Sequence, residues 1–158
     1  VNDLKRFYEI YIKVEASKVW DALTQQKFTS QYFYATRVES DWHIDSPVFF
    51  YLPDGSTAVE GKVLEVEKPS RLVITWRVLY AEEFAKEGFS KVTFEITQVE
   101  ACVCKLSVTH TDFVDDSKLY EHVQGWVAII SSLKSLLETG EAIPLPTDKK
   151  GDERWKLK

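Results

Sequence analysis

The stretch HVQGWVAIISSLKSLLETG (122–140) constrains the fold more than any other. Leu119, Val123, Trp126, Ile130, Leu133 and Leu137 recur at spacings of 4, 3, 4, 3 and 4, with Ser131, Ser132, Lys134, Ser135 and Glu138 between them. That is the period of an amphipathic helix. Asp115, Asp116 and Ser117 offer N-caps, and Gly140 with Pro144 beyond it offers a stop. Val127, Ile129 and Leu136 widen the stripe beyond a coiled-coil seam, so the helix is expected to cover something as broad as a sheet. Gly125 costs about 1 kcal/mol inside a helix. It therefore either admits a close approach of the sheet or marks where the helix begins.

A sheet is available from the rest of the chain. In RFYEIYIKV, Tyr8, Ile10, Ile12 and Val14 alternate with Phe7, Glu9, Tyr11 and Lys13, which reads as a first strand over 5–14. EASKVWDALTQ follows as a short helix with Ser17 as its cap, and KFTSQYFY as a second. From residue 36 the pattern is a meander. PDG inside VFFYLPDGSTAVEGKVLEV marks a hairpin turn. RLVITWRVLY places Leu72, Ile74, Trp76, Val78 and Tyr80 on one face, SKVTFEITQV does the same with Val92, Phe94 and Ile96, and ACVCKLSVTH with Cys102, Cys104, Leu106, Val108 and His110.

One strand breaks its period. In STAVEGKVLEVEK the apolar set moves from Val59, Gly61 and Val63 to Leu64 and Val66, which calls for a bulge or bend near 63–64, helped by Gly61. Strongly bent antiparallel sheets wrap around something, and the long helix is the only element large enough. The expected architecture is α+β: a curved antiparallel sheet of six or seven strands gripping a C-terminal helix, with two short helices after strand one.

Charge and residue content exclude several functions. A net charge of −5 with no basic run in the body argues against nucleic acid. The segment PLPTDKKGDERWKLK (144–158) has five Lys/Arg against three Asp/Glu. It is expected to be a C-terminal tail, frayed or docked through Trp155, beyond one domain over 1–143. No apolar run approaches the roughly 20 residues of a membrane span, and VNDLKRFYEI has no apolar leader core, so a cytoplasmic location is expected. Cys102 and Cys104 are two residues apart, too far for an easy bridge in a strand and without the second pair of a zinc site. Both are expected to be reduced core residues. His43, His110 and His122 form no ligand spacing, so no metal and no cofactor is expected.

VWDALT (19–24), VESDWHIDSPV (38–48), VEGKVLEVEKPSRLVITW (59–76), VTHTDF (108–113) and GWVAIISSLKSLLETG (125–140), in this order, resemble the SRPBCC/START-like superfamily. The branch is that similar to the C-terminal domain of activators of the heat-shock protein 90 ATPase, and the resemblance spans about 5–140. It implies the helix-grip fold with an apolar cavity between sheet and helix. Relatives bind lipids, hormones or polyketides, a few are enzymes, and some are co-chaperone domains. Members commonly carry a tryptophan where the second short helix ends, whereas this chain has Tyr32, Phe33 and Tyr34. The eukaryotic co-chaperones also carry a separate N-terminal domain, for which 158 residues are expected to leave no room.

The strand faces, the helix stripe and the resemblance together nominate Trp76, Tyr80, Phe94, His110, Trp126, Ile130 and Leu133 as cavity residues, with Tyr32 and Phe33 near its mouth. His110 on an inward face reads as a general acid or base, as an anchor for a ligand, or as a satisfied core histidine. Asp41, Glu60 and Arg77 are further polar candidates whose default is the surface. No Ser–His–Asp order, phosphate loop or paired-carboxylate motif is present. The leading expectation is therefore a binder of a small hydrophobic or aromatic ligand. An enzyme acting on such a ligand, and a module docking a protein partner as monomer or homodimer, stand as alternatives.

Overall fold

The computed structural model describes residues 2–145. The chain runs β1 (Arg6–Ile12), α1 (Ala16–Thr24), α2 (Gln26–Tyr32), β2 (Arg37–Glu39), β3 (Pro47–Tyr51), β4 (Thr57–Glu67), β5 (Arg71–Val78), α3 (Glu82–Ala85), β6 (Ser90–Glu100) and β7 (Val103–Thr111). It ends with α4 (Lys118–His122), a 3-10 turn (Val123–Gly125) and α5 (Trp126–Thr139). The strands form one seven-stranded antiparallel sheet in the order β1-β7-β6-β5-β4-β3-β2. This is the helix-grip arrangement that the sequence pattern predicts.

The alternation sets the core. Leu72, Ile74, Trp76 and Val78 of β5, Val92, Phe94 and Ile96 of β6, and Cys104, Leu106 and Val108 of β7 are all buried. They form one cluster with Trp126, Ile129, Ile130, Leu133 and Leu136 of α5. The sheet bends at β4, where the pairing with β5 slips between Val63 and Glu65 and leaves Leu64 as the extra residue of a bulge. Just before it, Gly61 lets the Thr75 carbonyl approach so closely that a Cβ would lie 1.8 Å from its oxygen. The face shift read from the sequence has these two residues as its cause.

Four expectations need correction. The helix stripe is not continuous: Ser117 caps α4 by accepting from the Tyr120 N–H, a 3-10 turn intervenes, and α5 starts after Gly125. Val127 does not belong to the stripe, because the tighter turn resets the phase and leaves it 51% exposed. Cys102 is not inward but exposed, in the turn that joins β6 to β7, one residue before the alternation of β7 begins. Ser17 does not cap α1. Glu15 occupies that position without a side-chain bond, and the Ala16 N–H goes instead to Gln98 Oε1 at 2.9 Å.

Pro144 and Leu145 carry no regular structure, and Trp155, with the rest of the tail, lies outside the described residues. Among the described residues, no helix is long and apolar enough to cross a membrane.

An aromatic cleft as the candidate functional site

The core is not filled where α5 begins. A cavity of about 90 Å³, open on one side, lies between the bent half of the sheet, the segment after α2 and the first turn of α5. Its floor is aromatic. Phe33, Phe50, Trp76 and Trp126 are all at least nine-tenths buried, with centroids 5.1 Å apart for Phe33 and Phe50, 5.2 Å for Phe50 and Trp76, and 5.4 Å for Trp76 and Trp126. Ala58, Val59, Val78 and Ile129 complete the apolar lining. The half-buried lining residues Tyr34, Leu52, Tyr80, His122 and Gly125 mark the mouth.

Local sequence explains how the mouth is built. Tyr34 and Ala35 both adopt left-handed backbone, φ 50° and 59°, turning the chain sharply after α2 so that Phe33 and Tyr34 line the cleft. Gly125 sits opposite, and a Cβ there would lie 3.7 Å from the Tyr34 hydroxyl. Glu87 fixes the far side. Its carboxylate accepts from Ser117 Oγ at 2.6 Å and from the N–H groups of Lys118 and Leu119 at 2.8 and 3.3 Å, anchoring the N-terminus of α4. Arg77 donates from Nε to the Ala85 carbonyl at 2.9 Å, holding α3 to β5. Between these two ties, His122 reaches the Tyr80 hydroxyl, 2.7 Å from Nε2, and its ring lies 4.7 Å from that of Phe84. Burial pushes the Tyr80 phenol well above its ordinary pKa, so it remains a neutral hydroxyl.

His110 is fully buried. The indole N–H of Trp126 can only donate, so Nδ1 of His110, 3.1 Å away, is the acceptor. The proton of the neutral ring then lies on Nε2 and is donated to Ser90 Oγ at 2.6 Å, while the Ser90 hydroxyl donates to the Trp76 carbonyl at 3.1 Å. Every polar atom of this chain is satisfied. Burial pushes the His110 pKa down to about 3, so the ring is neutral across the physiological range. It acts as an internal tie between Trp126 and Trp76.

Of the nominated residues, Trp76, Tyr80, Trp126 and Phe33 line the cleft. Phe94, His110, Ile130, Leu133 and Tyr32 are buried in the packed core instead. Tyr32 uses its hydroxyl to donate to the Ala22 carbonyl at 2.8 Å. Ile130 and Leu133 lie one and two turns into α5, where the helix already rests on the sheet. Glu60 and Arg77 pair at 2.9 Å, each about one-third exposed, and Asp41 is exposed. Sequence reasoning did not pick out Phe50, Tyr34 and His122 as cavity residues. Phe50 carries a detectable signal as an inward position of a hairpin strand, whereas the Tyr80–His122 pair spans 42 residues and has no local signature. Among the described residues no group of His, Cys, Asp and Glu side chains is arranged to hold a metal ion.

Comparison with known proteins bears on the same region. The family described as Activator of Hsp90 ATPase homolog 1-like protein matches residues 13–138. No curated protein matches the sequence. Among solved structures, the Aha1 dimer of Colwellia psychrerythraea is 18% identical and covers 89% of this chain and 100% of its own, with a TM-score of 0.71. A Mesorhizobium loti protein is 23% identical over 84% and 96%, with a TM-score of 0.70. An HSP90 activator from Plasmodium falciparum is 18% identical over 89% and 91%, with a TM-score of 0.61. At these identities the likeness is one of fold.

Proposed function

Since the chain belongs to the family of Activator of Hsp90 ATPase homolog 1-like proteins, a helix-grip family, we propose that it binds a small hydrophobic or aromatic ligand in the cleft at the start of α5. The observation that carries this reading is the aromatic floor lying beneath a half-buried mouth. Four large rings line space instead of filling it, although a core of this kind normally closes such gaps. The free volume of about 90 Å³ is less than the ~150 Å³ of a cavity that takes up benzene. A guest would therefore enter ring first and leave its other end at the open side. His110 is sealed from that space, which places binding ahead of catalysis by it. The proposal includes a cytoplasmic setting, in keeping with the exposed free thiol of Cys102.

A second reading has its own support. On the outer face of the sheet, Pro47, Phe49 and Phe89 surround a hollow of about 540 Å³ floored by Gly61 and Thr75, and Phe89 is 54% exposed. Such a patch suits a protein partner or a second copy, and one of the structural relatives is an HSP90 activator.

A thermal-shift screen with single-ring aromatics, fatty acids and polyketide-like phenols separates the two. A ligand at a hundred times its dissociation constant stabilises the fold by about 2.7 kcal/mol. That shift should vanish in Ala58→Phe, which fills the cleft, and persist in Phe89→Glu, which alters only the outer hollow. If no compound shifts the melting point of the wild type, the binding reading fails and the outer surface takes its place.

A further inference from the structure

The cleft differs chemically between floor and mouth. The floor offers only ring faces and aliphatic carbons, whereas the mouth carries the hydroxyls of Tyr34 and Tyr80 and the imidazole of His122. No Asp, Glu, Lys or Arg lines it. The nearest charges along the chain are the exposed carboxylates of Glu82 and Glu83, next to Tyr80 in sequence, and of Glu121, adjacent to His122. A guest carboxylate would leave water without a fixed counter-charge and meet acidic neighbours, so charged guests are disfavoured.

The Tyr80–His122 contact sets the hydrogen-bonding requirement. A phenol oxygen has one donor and two acceptor positions, so the 2.7 Å bond to Nε2 does not exhaust it. If Tyr80 donates to His122, its oxygen accepts from a guest. If His122 donates to Tyr80, the Tyr80 proton is available to a guest. A carbonyl or ether on the guest satisfies only the second arrangement, whereas a hydroxyl satisfies both. The ring belongs at the floor and the hydroxyl at the mouth, which together with the limited volume gives a ring count of one.

Building on the binding reading above, we infer that the cleft selects neutral, single-ring phenols, with the Tyr80–His122 pair at its mouth as the selecting group. Titration calorimetry of the full chain with p-cresol, toluene and p-toluate tests this, since the three share a ring and a methyl group and differ in the polar end. The wild type is expected to bind p-cresol at least tenfold more tightly than toluene, and toluene more tightly than p-toluate. In Tyr80→Phe, which keeps the ring that packs on Phe84, the p-cresol preference should fall to within about threefold. Equal binding of p-cresol and toluene by the wild type overturns the inference and leaves the apolar-ligand reading standing. Tightest binding of p-toluate overturns it in favour of an acid-binding site. No binding of any of the three overturns it together with the reading on which it rests. The wild-type series decides the matter even if Tyr80→Phe does not fold.

Discussion

The indole N–H of Trp126 donates to Nδ1 of His110 across 3.1 Å, so a wall of the cleft is oriented by a residue that does not line it. The same histidine reaches Trp76 through Ser90. Both tryptophans of the floor are thus tied to one buried, neutral imidazole.

Stability should therefore depend on pH in a defined direction. His110 titrates near 6.5 when unfolded and at about 3 in the fold. Between these values the unfolded chain binds the extra proton, so its contribution is complete above pH 6.5 and is lost as pH falls toward 3. The slope approaches about 1.4 kcal/mol per pH unit at most. Urea unfolding at pH 7, 6, 5 and 4 measures it. His110→Leu should be less stable at pH 7 by about 2 to 4 kcal/mol, because the Trp126 N–H and the Ser90 hydroxyl lose partners, and its pH dependence over that range should be flatter. An equal slope in both proteins would show that another group is responsible.

Gly61 should be intolerant of any side chain. A Cβ would lie 1.8 Å from the Thr75 carbonyl oxygen, so β4 and β5 must separate or the bulge must move. Gly61→Ala is expected to cost about 3 kcal/mol or more, the range of severe strain. Chemical denaturation measures it, and a loss below about 1 kcal/mol would mean that the bend does not depend on this approach.

The two thiols should differ sharply. Cys102 is exposed and Cys104 fully buried, and burial also pushes the Cys104 thiol pKa up, lowering its reactive thiolate fraction. Native titration with a thiol reagent should give one fast equivalent, and denaturation a second. Two fast equivalents, or none, would contradict the placement of the β6–β7 turn.

The parts of the fold that could be read in the sequence are those with a long period and one buried face. The alternation of 72–78 and 92–96 and the stripe of 126–137 each repeat often enough to fix an orientation, and the phase slip at 63–64 announced the bulge. Where repeats are few, the pattern fails. α3 has four residues, too short to show a period, and Cys102 was assigned inward by carrying the alternation of β7 past the end of the strand. Gly125 was visible as an anomaly, but its meaning depended on the neighbouring 3-10 turn. Half of the site was hidden for a different reason. Tyr80 and His122 meet only because Arg77 holds α3 and Glu87 anchors α4, and such long-range ties leave no periodic trace. Phe94, Ile130 and Leu133 show the converse limit, since periodicity finds a buried face without telling whether that face meets a neighbour or a void.

The most direct test of the central claim is a heteronuclear NMR titration of the protein with p-cresol and toluene, following the indole N–H groups of Trp76 and Trp126 and the methyls of Val59, Val78 and Ile129. The account expects saturable shifts at these five residues and intermolecular Overhauser effects from the ring to Ile129, while the indoles of Trp20 and Trp42 stay in place. Shifts that grow linearly without saturating, or that centre on Phe49 and Phe89 at the outer face, would contradict it.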